Sequence, residues 1–215
     1  MVIDLSRQNS VLSQYMAEMR DVNVQKDSMR FRKNLERVGN IIGYEISKKL
    51  DYRIDDVSTP LGIAPVPVIA NQPVVATILR AGMPMHYGVL QILDKAENAF
   101  ISAYRKHHKD GTFDVHVEYL ACPSIEGKEL VLCDPMLATG TSMILAYQAM
   151  LRRGKPKHIH VTSVIASLQA VDYVRKHMPE NTTIWCCAID EELTAQSYIV
   201  PGLGDAGDLA FGEKL

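Results

Sequence analysis

The stretch from Asp134 to Ser142 holds residue types whose order could do chemistry. The apolar run Val131-Leu132-Cys133 leads into Asp134, and Thr139-Gly140-Thr141-Ser142 opens the next periodic segment. A helix N-terminus leaves backbone N–H groups unpaired and carries partial positive charge, so it receives phosphate. Thr and Ser hydroxyls add donors, and Gly140 lets the backbone come close to a ligand. A carboxylate at a strand end accepts hydrogen bonds from sugar hydroxyls. Thr-Gly-Thr-Ser alone would suit any capped strand-to-helix turn, but the whole segment suits a phosphorylated sugar. It is not a Walker A loop, because no Gly-Lys-Thr/Ser follows a first glycine.

Two arginines follow expected strands. Arg80 follows the apolar run Val74-Val75-Ala76-Thr77-Ile78-Leu79 and precedes Ala81-Gly82. At a strand end its guanidinium could fork onto a pyrophosphate. Arg105 follows the strand expected over Asn98–Tyr104. Arg105-Lys106-His107-His108-Lys109 lacks metal-ligand spacing and reads as the solvated tip of a hairpin. His86, His116, His158, His160 and His177 are scattered and receive no catalytic role. Ser163 and Ser167 lack a nucleophile-elbow context.

The elements that must position these groups follow from periodicity. Met29, Leu35, Val38, Ile42, Ile46 and Leu50 predict an amphipathic helix over Lys26–Leu50, capped near Asp27 or Ser28. Ile54–Pro73 reads as an extended or hairpin segment. Strands are expected over Val74–Leu79, Asn98–Tyr104, Val115–Leu120, Glu129–Cys133, His158–Ile165 and Thr183–Ile189. Helices are expected over Gly82–Leu93, around Met143–Leu151, and over Ala170–His177. Asp110-Gly111 marks a tight turn in a projecting hairpin. Alternating strands and helices imply a Rossmann-like, mostly parallel α/β sheet covered on both faces, with ligands beyond the carboxyl ends of its strands.

Composition narrows the partners. Among 215 residues, 47% are hydrophobic and 22% charged, as in an ordinary globular domain, and the net charge is −2. An acidic balance argues against nucleic acid, whose phosphates select basic faces. The apolar runs are too short to span a bilayer, and Met1–Tyr15 shows no signal-peptide core, so no membrane partner and a cytoplasmic location are expected. Cys122, Cys133, Cys186 and Cys187 form no C-x-x-C pair. Adjacent Cys186 and Cys187 read as buried core thiols.

An apolar strand, Asp134, four residues, then Thr139-Gly140-x-Ser142 resembles the phosphoribosyl pyrophosphate (PRPP) motif of type I phosphoribosyltransferases. The wording Asp134-Pro135-Met136-Leu137-Ala138-Thr139-Gly140 resembles their uracil phosphoribosyltransferase branch. Ile78-Leu79-Arg80-Ala81-Gly82 is similar to that branch's pyrophosphate loop. Tyr198-Ile199-Val200-Pro201-Gly202-Leu203-Gly204-Asp205-Ala206-Gly207-Asp208 is similar to its base-binding stretch. The chain departs from the family at Pro135, where many relatives carry a second acid, and at Thr141, where glycine is common. A β-branched residue at Thr141 demands a negative φ.

The resemblance implies one phosphoribosyltransferase domain over the whole chain. Residues 1–72 would form an N-terminal helical and extended segment, 73–190 the PRPP-binding core, and 191–215 a uracil-binding hood, with a flexible hairpin arm over the site. It implies PRPP contacts from Arg80, Ala81, Gly82, Arg105, Asp205 and each residue from Asp134 through Pro135, Met136, Leu137, Ala138, Thr139, Gly140 and Thr141 to Ser142. Catalytic roles fall to Arg105, Asp134 and Asp205. Backbone groups of Ile199, Gly204 and Ala206, together with Asp205, would meet uracil, whose two carbonyls and N3–H suit a tight glycine-rich loop. Mg²⁺ would arrive mainly on PRPP oxygens, with no metal ligand set in the protein. The small-molecule substrates are uracil and PRPP, GTP is a candidate effector, and a homodimer or higher homo-oligomer is expected. The rivals are a PRPP- or nucleotide-sensing regulator without turnover, and a transferase for another base.

Overall fold

A computed structural model describes residues 1–107 and 113–213, and at 103–107 and 113–117 the backbone alone. The chain begins with β1 (Val2–Asp4), α1 (Val11–Arg20) and α2 (Ser28–Ser47). A hairpin of β2 (Tyr52–Thr59) and β3 (Gly62–Ile69) leads to β4 (Val74–Leu79), α3 (Met83–Ile92), β5 (Glu97–His107), β6 (Phe113–Ala121) and β7 (Glu129–Cys133). Next come β8 (Met136–Leu137), α4 (Thr141–Met150), β9 (His158–Ser163), β10 (Ile165–Ser167), α5 (Leu168–His177) and β11 (Thr182–Cys186). The chain closes with β12 (Ile189–Asp190), β13 (Glu192–Leu193), β14 (Ile199–Val200) and α6 (Ala206–Phe211).

Seven strands make the main sheet in the order β1-β11-β9-β7-β4-β5-β6. Every pairing in it is parallel except β5 with β6, which run antiparallel with an irregularity between Ser102 and Ala103. Side chains alternate between its faces. Val75, Val131, Cys133 and Trp185 pack with α1, α2 and α3, while Val74, Ala76, Ile78, Leu130 and Leu132 pack with α4 and α5. Both faces are thus covered, which explains the unbroken apolar runs at 74–79 and 129–133. The expected mostly parallel α/β fold is the observed one.

Chain order reverses between β4 and β7: from β4 the chain crosses to β5 on one side and later returns to β7 on the other. A crevice opens at such a switch point beyond the strand ends. A second parallel sheet, β12-β10-β8, extends the scaffold there. The strands expected over His158–Ile165 and Thr183–Ile189 are accordingly each split in two: β9 ends at Ser163, and β10 begins at Ile165 to join the smaller sheet.

The predicted helix over Lys26–Leu50 is α2, with the Asp27 carboxylate accepting the Arg30 N–H as its cap. Gly39 and Gly88 bring α2 and α3 together so closely that a Cβ on either would strike a carbonyl of the other helix, Met85 O or Glu36 O. Ile54–Pro73 is the antiparallel β2–β3 hairpin, exposed along most of both strands. Two elements near the N-terminus were not expected. Val2–Asp4 adds a parallel edge strand to the sheet, and α1 follows Ser10, whose hydroxyl accepts the Leu12 N–H. The Asp110-Gly111 turn and the tip residues from His108 lie outside the described residues. No helix among the described residues is long and apolar enough to cross a membrane.

Candidate active site

Asp134 follows the last residue of β7, at the switch point, and its main chain stays tied to the sheet through Asp134 N–H to Thr162 O at 3.2 Å. Its Oδ1 accepts the Met136 N–H at 3.2 Å, turning the chain into β8. The smaller sheet then holds the loop from beneath. Val164 and Ile165 N–H both donate to Pro135 O, at 3.1 and 3.0 Å. The Ser163 hydroxyl donates to Ile165 O at 2.7 Å, and the Ser167 hydroxyl donates to Ala138 O at 2.7 Å. Ser163 and Ser167 are therefore buried fasteners of this loop rather than nucleophiles.

Gly140 ends the loop with φ +82°, a left-handed conformation, and no side chain caps α4. A Cβ there would lie 3.0 Å from Val174 Cγ2 and 3.1 Å from Tyr173 Cδ1, so α5 also crowds any side chain at this position. Thr141 is the first residue of α4, and the positive φ falls on Gly140 instead. The departure at Thr141 thus fits the loop. Its hydroxyl lies 3.2 Å from the Thr139 hydroxyl, and its N–H faces Thr139 Oγ1 at 3.4 Å. Asp134, Met136, Leu137, Ala138, Thr139, Gly140, Ser142 and Met143 line one concave cradle over this helix end. Unpaired N–H groups at a helix start can receive an anion.

The turn after β4 closes the cradle's other side. Gly82 starts α3 where a Cβ would lie 2.8 Å from Cys133 O and 2.7 Å from Ile78 O, so the two strand ends nearly touch. The Leu79–Arg80 peptide is cis. Arg80 Nη2 donates to Gly212 O at 3.1 Å and reaches Asp208 Oδ1 at 3.4 Å, which joins this turn to α6. Burial pushes the Cys133 thiol, just before Asp134, up to about 12. Burial also pushes Cys186 up to about 12 and raises Cys187 well above its ordinary value, so these core thiols stay protonated.

The hood arrives over the cradle. Ile199 is buried, and Gly202 and Gly204 take φ +63° and +91°. Asp205 caps α6, its Oδ1 accepting Gly207 N–H at 2.8 Å and Asp208 N–H at 3.0 Å. Ala206 N–H points at Met136 Sδ, 3.3 Å away, linking the hood to the 134–142 loop. The structure so brings together Arg80, Ala81, Gly82, the 134–142 loop, Asp205 and Ala206. The Arg105 backbone lies on β5, and its side chain lies outside the described residues.

Sequence reasoning missed what fastens the hood. Arg20, from α1, makes a two-pronged ion pair with Asp190, Nη1 to Oδ2 and Nη2 to Oδ1 both at 2.8 Å. Gln25 Nε2 donates to Leu203 O at 3.2 Å, and Arg32 Nη1 to Ala210 O at 2.6 Å. Burial raises the Asp190 pKa, but the Arg20 hydrogen bonds, the Gly202 N–H and the Arg20 charge together hold it below the usual carboxylate value. No local motif announces partners so distant in the chain. Among the described residues no three His, Cys, Asp or Glu side chains gather as a metal set.

The model of the uracil phosphoribosyltransferase family matches residues 6–213. A uracil phosphoribosyltransferase of Porphyromonas gingivalis is 58% identical over 214 residues, covering 100% of this chain and 99% of that protein. One from Pyrobaculum arsenaticum is 42% identical over 205 residues, covering 94% and 95%. Among solved structures, a protein from Aquifex aeolicus superposes with a TM-score of 0.86 at 27% identity, covering 99% of this chain and 98% of that one. A hypoxanthine phosphoribosyltransferase from Staphylococcus aureus, at 15% identity and TM-score 0.51 over 86% of this chain and 84% of that one, shares the fold alone.

Proposed function

This chain belongs to the uracil phosphoribosyltransferase family, and on that premise we propose how its residues divide the work of making UMP and diphosphate from uracil and PRPP. N1 of uracil displaces diphosphate from C1′ of the ribose. The N1–C1′ bond forms, the C1′–O bond breaks, and the N1 proton leaves. Positive charge grows on the sugar as diphosphate departs, so placement and charge stabilisation are the protein's main tasks. Asp134 orients the ribose hydroxyls and offsets that charge. The amides from Ala138 to Ser142 receive the 5′-phosphate, while Arg80, Ala81, Gly82 and Arg105 receive the diphosphate.

The observation that carries this reading is the convergence of the Gly140-led cradle, the Arg80 turn and the Asp205 cap at one switch point. Ala206 N–H meets a thioether, a weak acceptor, which a uracil carbonyl would displace with gain. Ile199 and Gly204 add backbone contacts to the base, and Asp205 faces PRPP. The cradle's lining offers one carboxylate, Asp134, and Pro135 supplies no second one. That donor set fits Mg²⁺ carried by PRPP, where the cation would neutralise diphosphate oxygens.

The exposed apolar residues Ile54, Val57, Leu61, Ile63 and Val66 of the β2–β3 hairpin support a homo-oligomer, since a two-stranded hairpin with both faces in water is marginal alone. Free cysteines fit a reducing, cytoplasmic setting. The test is direct: purified protein with Mg²⁺, PRPP and labelled uracil, with orotate, hypoxanthine and adenine in parallel, each with and without GTP. UMP from uracil alone supports the reading. No nucleotide from any base, with PRPP still bound by calorimetry, overturns it in favour of a regulator, and a rate unmoved by GTP removes the effector.

A further inference from the structure

We propose that Arg20 and Asp190 are positioning residues for uracil, acting through the Gly202 peptide. They hold one residue, Gly202, by both of its backbone polar groups. Gly202 N–H donates to Asp190 Oδ2 at 2.8 Å, and Arg20 Nη1 donates to Gly202 O at 2.9 Å. The Arg20–Asp190 pair closes the ring. The Asp190 side chain is 8% exposed and that of Arg20 26%, so the pair is largely shielded from water and salt. Gly202 cannot carry a side chain, because a Cβ there would strike Ile199 O, and the peptide is gripped directly.

The clamp sits between the backbone groups assigned to the base. Ile199 lies just before Gly202 in the chain, and Gly204 and Ala206 just after. None of the clamp's own hydrogen bonds uses those groups. Asp190 ends β12, which pairs with β10, which pairs with β8 in the phosphate loop. The clamp therefore fixes the height of the hood relative to the cradle, through a contact spanning 170 residues of sequence. Misplacing a binding group through a residue outside the site can cost on the order of a hundredfold. A bidentate guanidinium fixes orientation as well as distance, and lysine cannot reproduce that fork.

This inference rests on the reading that 199–206 meets uracil, and the experiment separates the two. In the unaltered full-length protein, UMP should slow amide hydrogen exchange across 199–206; unchanged exchange there sinks the reading itself. Arg20→Lys and Asp190→Asn are then assayed beside Arg20→Ala. Arg20→Lys retains the charge and loses the fork, so it remains informative if Arg20→Ala fails to fold. With Arg20→Lys the uracil KM should rise about tenfold or more while the PRPP KM and the melting temperature stay near those of the unaltered protein. If UMP protects 199–206 but the variants leave the uracil KM unchanged, or raise both KM values together, the pair is structural only and the inference falls.

Discussion

The cradle and the hood meet in one crevice but are built in opposite ways. Asp134 to Ser142 is held largely by neighbours in the sheet beneath it, and its ligand-facing groups are consecutive in the chain. The 199–208 loop has its groups close in sequence too, but it is held by Arg20 at the end of α1 and Gln25 in the turn between α1 and α2, while Arg32 of α2 holds Ala210 just beyond it. The cradle is thus a local motif on a sheet, whereas the hood is a lid fastened by distant side chains. On the proposed reading, chemistry that tolerates little error, at phosphate and ribose, rests on the first kind of construction. On the same reading base recognition rests on the second, where the fastening can change without disturbing the cradle.

The largest expected effect probes the cradle's chemistry alone. Asp134→Asn keeps an acceptor for the Met136 N–H, so the fold should persist while kcat falls about a hundredfold or more. Near-normal turnover would remove Asp134 from the ribose. Gly140→Ala probes the cradle's shape. A left-handed residue with a Cβ costs about 1–2 kcal/mol, and the added atom presses on Val174 and Tyr173. A lower denaturation midpoint together with a raised PRPP KM is expected; a rise in uracil KM alone would mean that the cradle and the hood have been confused.

Asp205 sharpens the border between the two regions. Because its carboxylate caps α6, Asp205→Ala should lose about 1 kcal/mol of stability as well as activity. Asp205→Asn preserves a capping oxygen and removes the charge. If Asn restores both melting temperature and turnover, the residue serves only as a cap; if it restores the melting temperature alone, the charge faces PRPP.

The smallest effect belongs to the floor that both regions share. His86 on α3 is buried, with Nε2 3.2 Å from Val75 O, and burial lowers its pKa against the partial support of that carbonyl. The unfolded chain then takes up the proton first, near the ordinary value of about 6.5. Stability from this group is intact above that pH and is lost as pH falls through it toward the lower folded value. Thermal melts should show a drop of a few degrees between about pH 7.5 and 5.5 that is reduced in His86→Gln. An equal drop in the variant would assign it elsewhere, with His158, also lowered mainly by burial, the next residue to replace.

Sequence legibility followed the same division. Strands buried on both faces announced themselves as β-branched and apolar runs, and the cradle did so because its parts are contiguous. β1, β8 and β12 stayed hidden because strands of two or three residues have no period to detect. Helix α1 was legible and overlooked: Leu12, Met16 and Met19 stand at helical spacing after Ser10, inside a stretch polar on average. The Arg20–Asp190 clamp had no sequence signal, since it exists only once α1 has docked beside the hood.

The glycine crossing of α2 and α3 has a mechanical meaning. With the Met85 and Glu36 carbonyls standing where side chains would be, no soft layer separates the two helices, and they work as a single beam. One arm of that beam begins beside the Arg80 turn; the other grips the Ala210 carbonyl of the hood through Arg32. A methyl group inserted at Gly88 would act as a wedge between them. Its thickness would be transmitted to the Arg80 turn and to the hood in the same stroke, from a place outside the cradle.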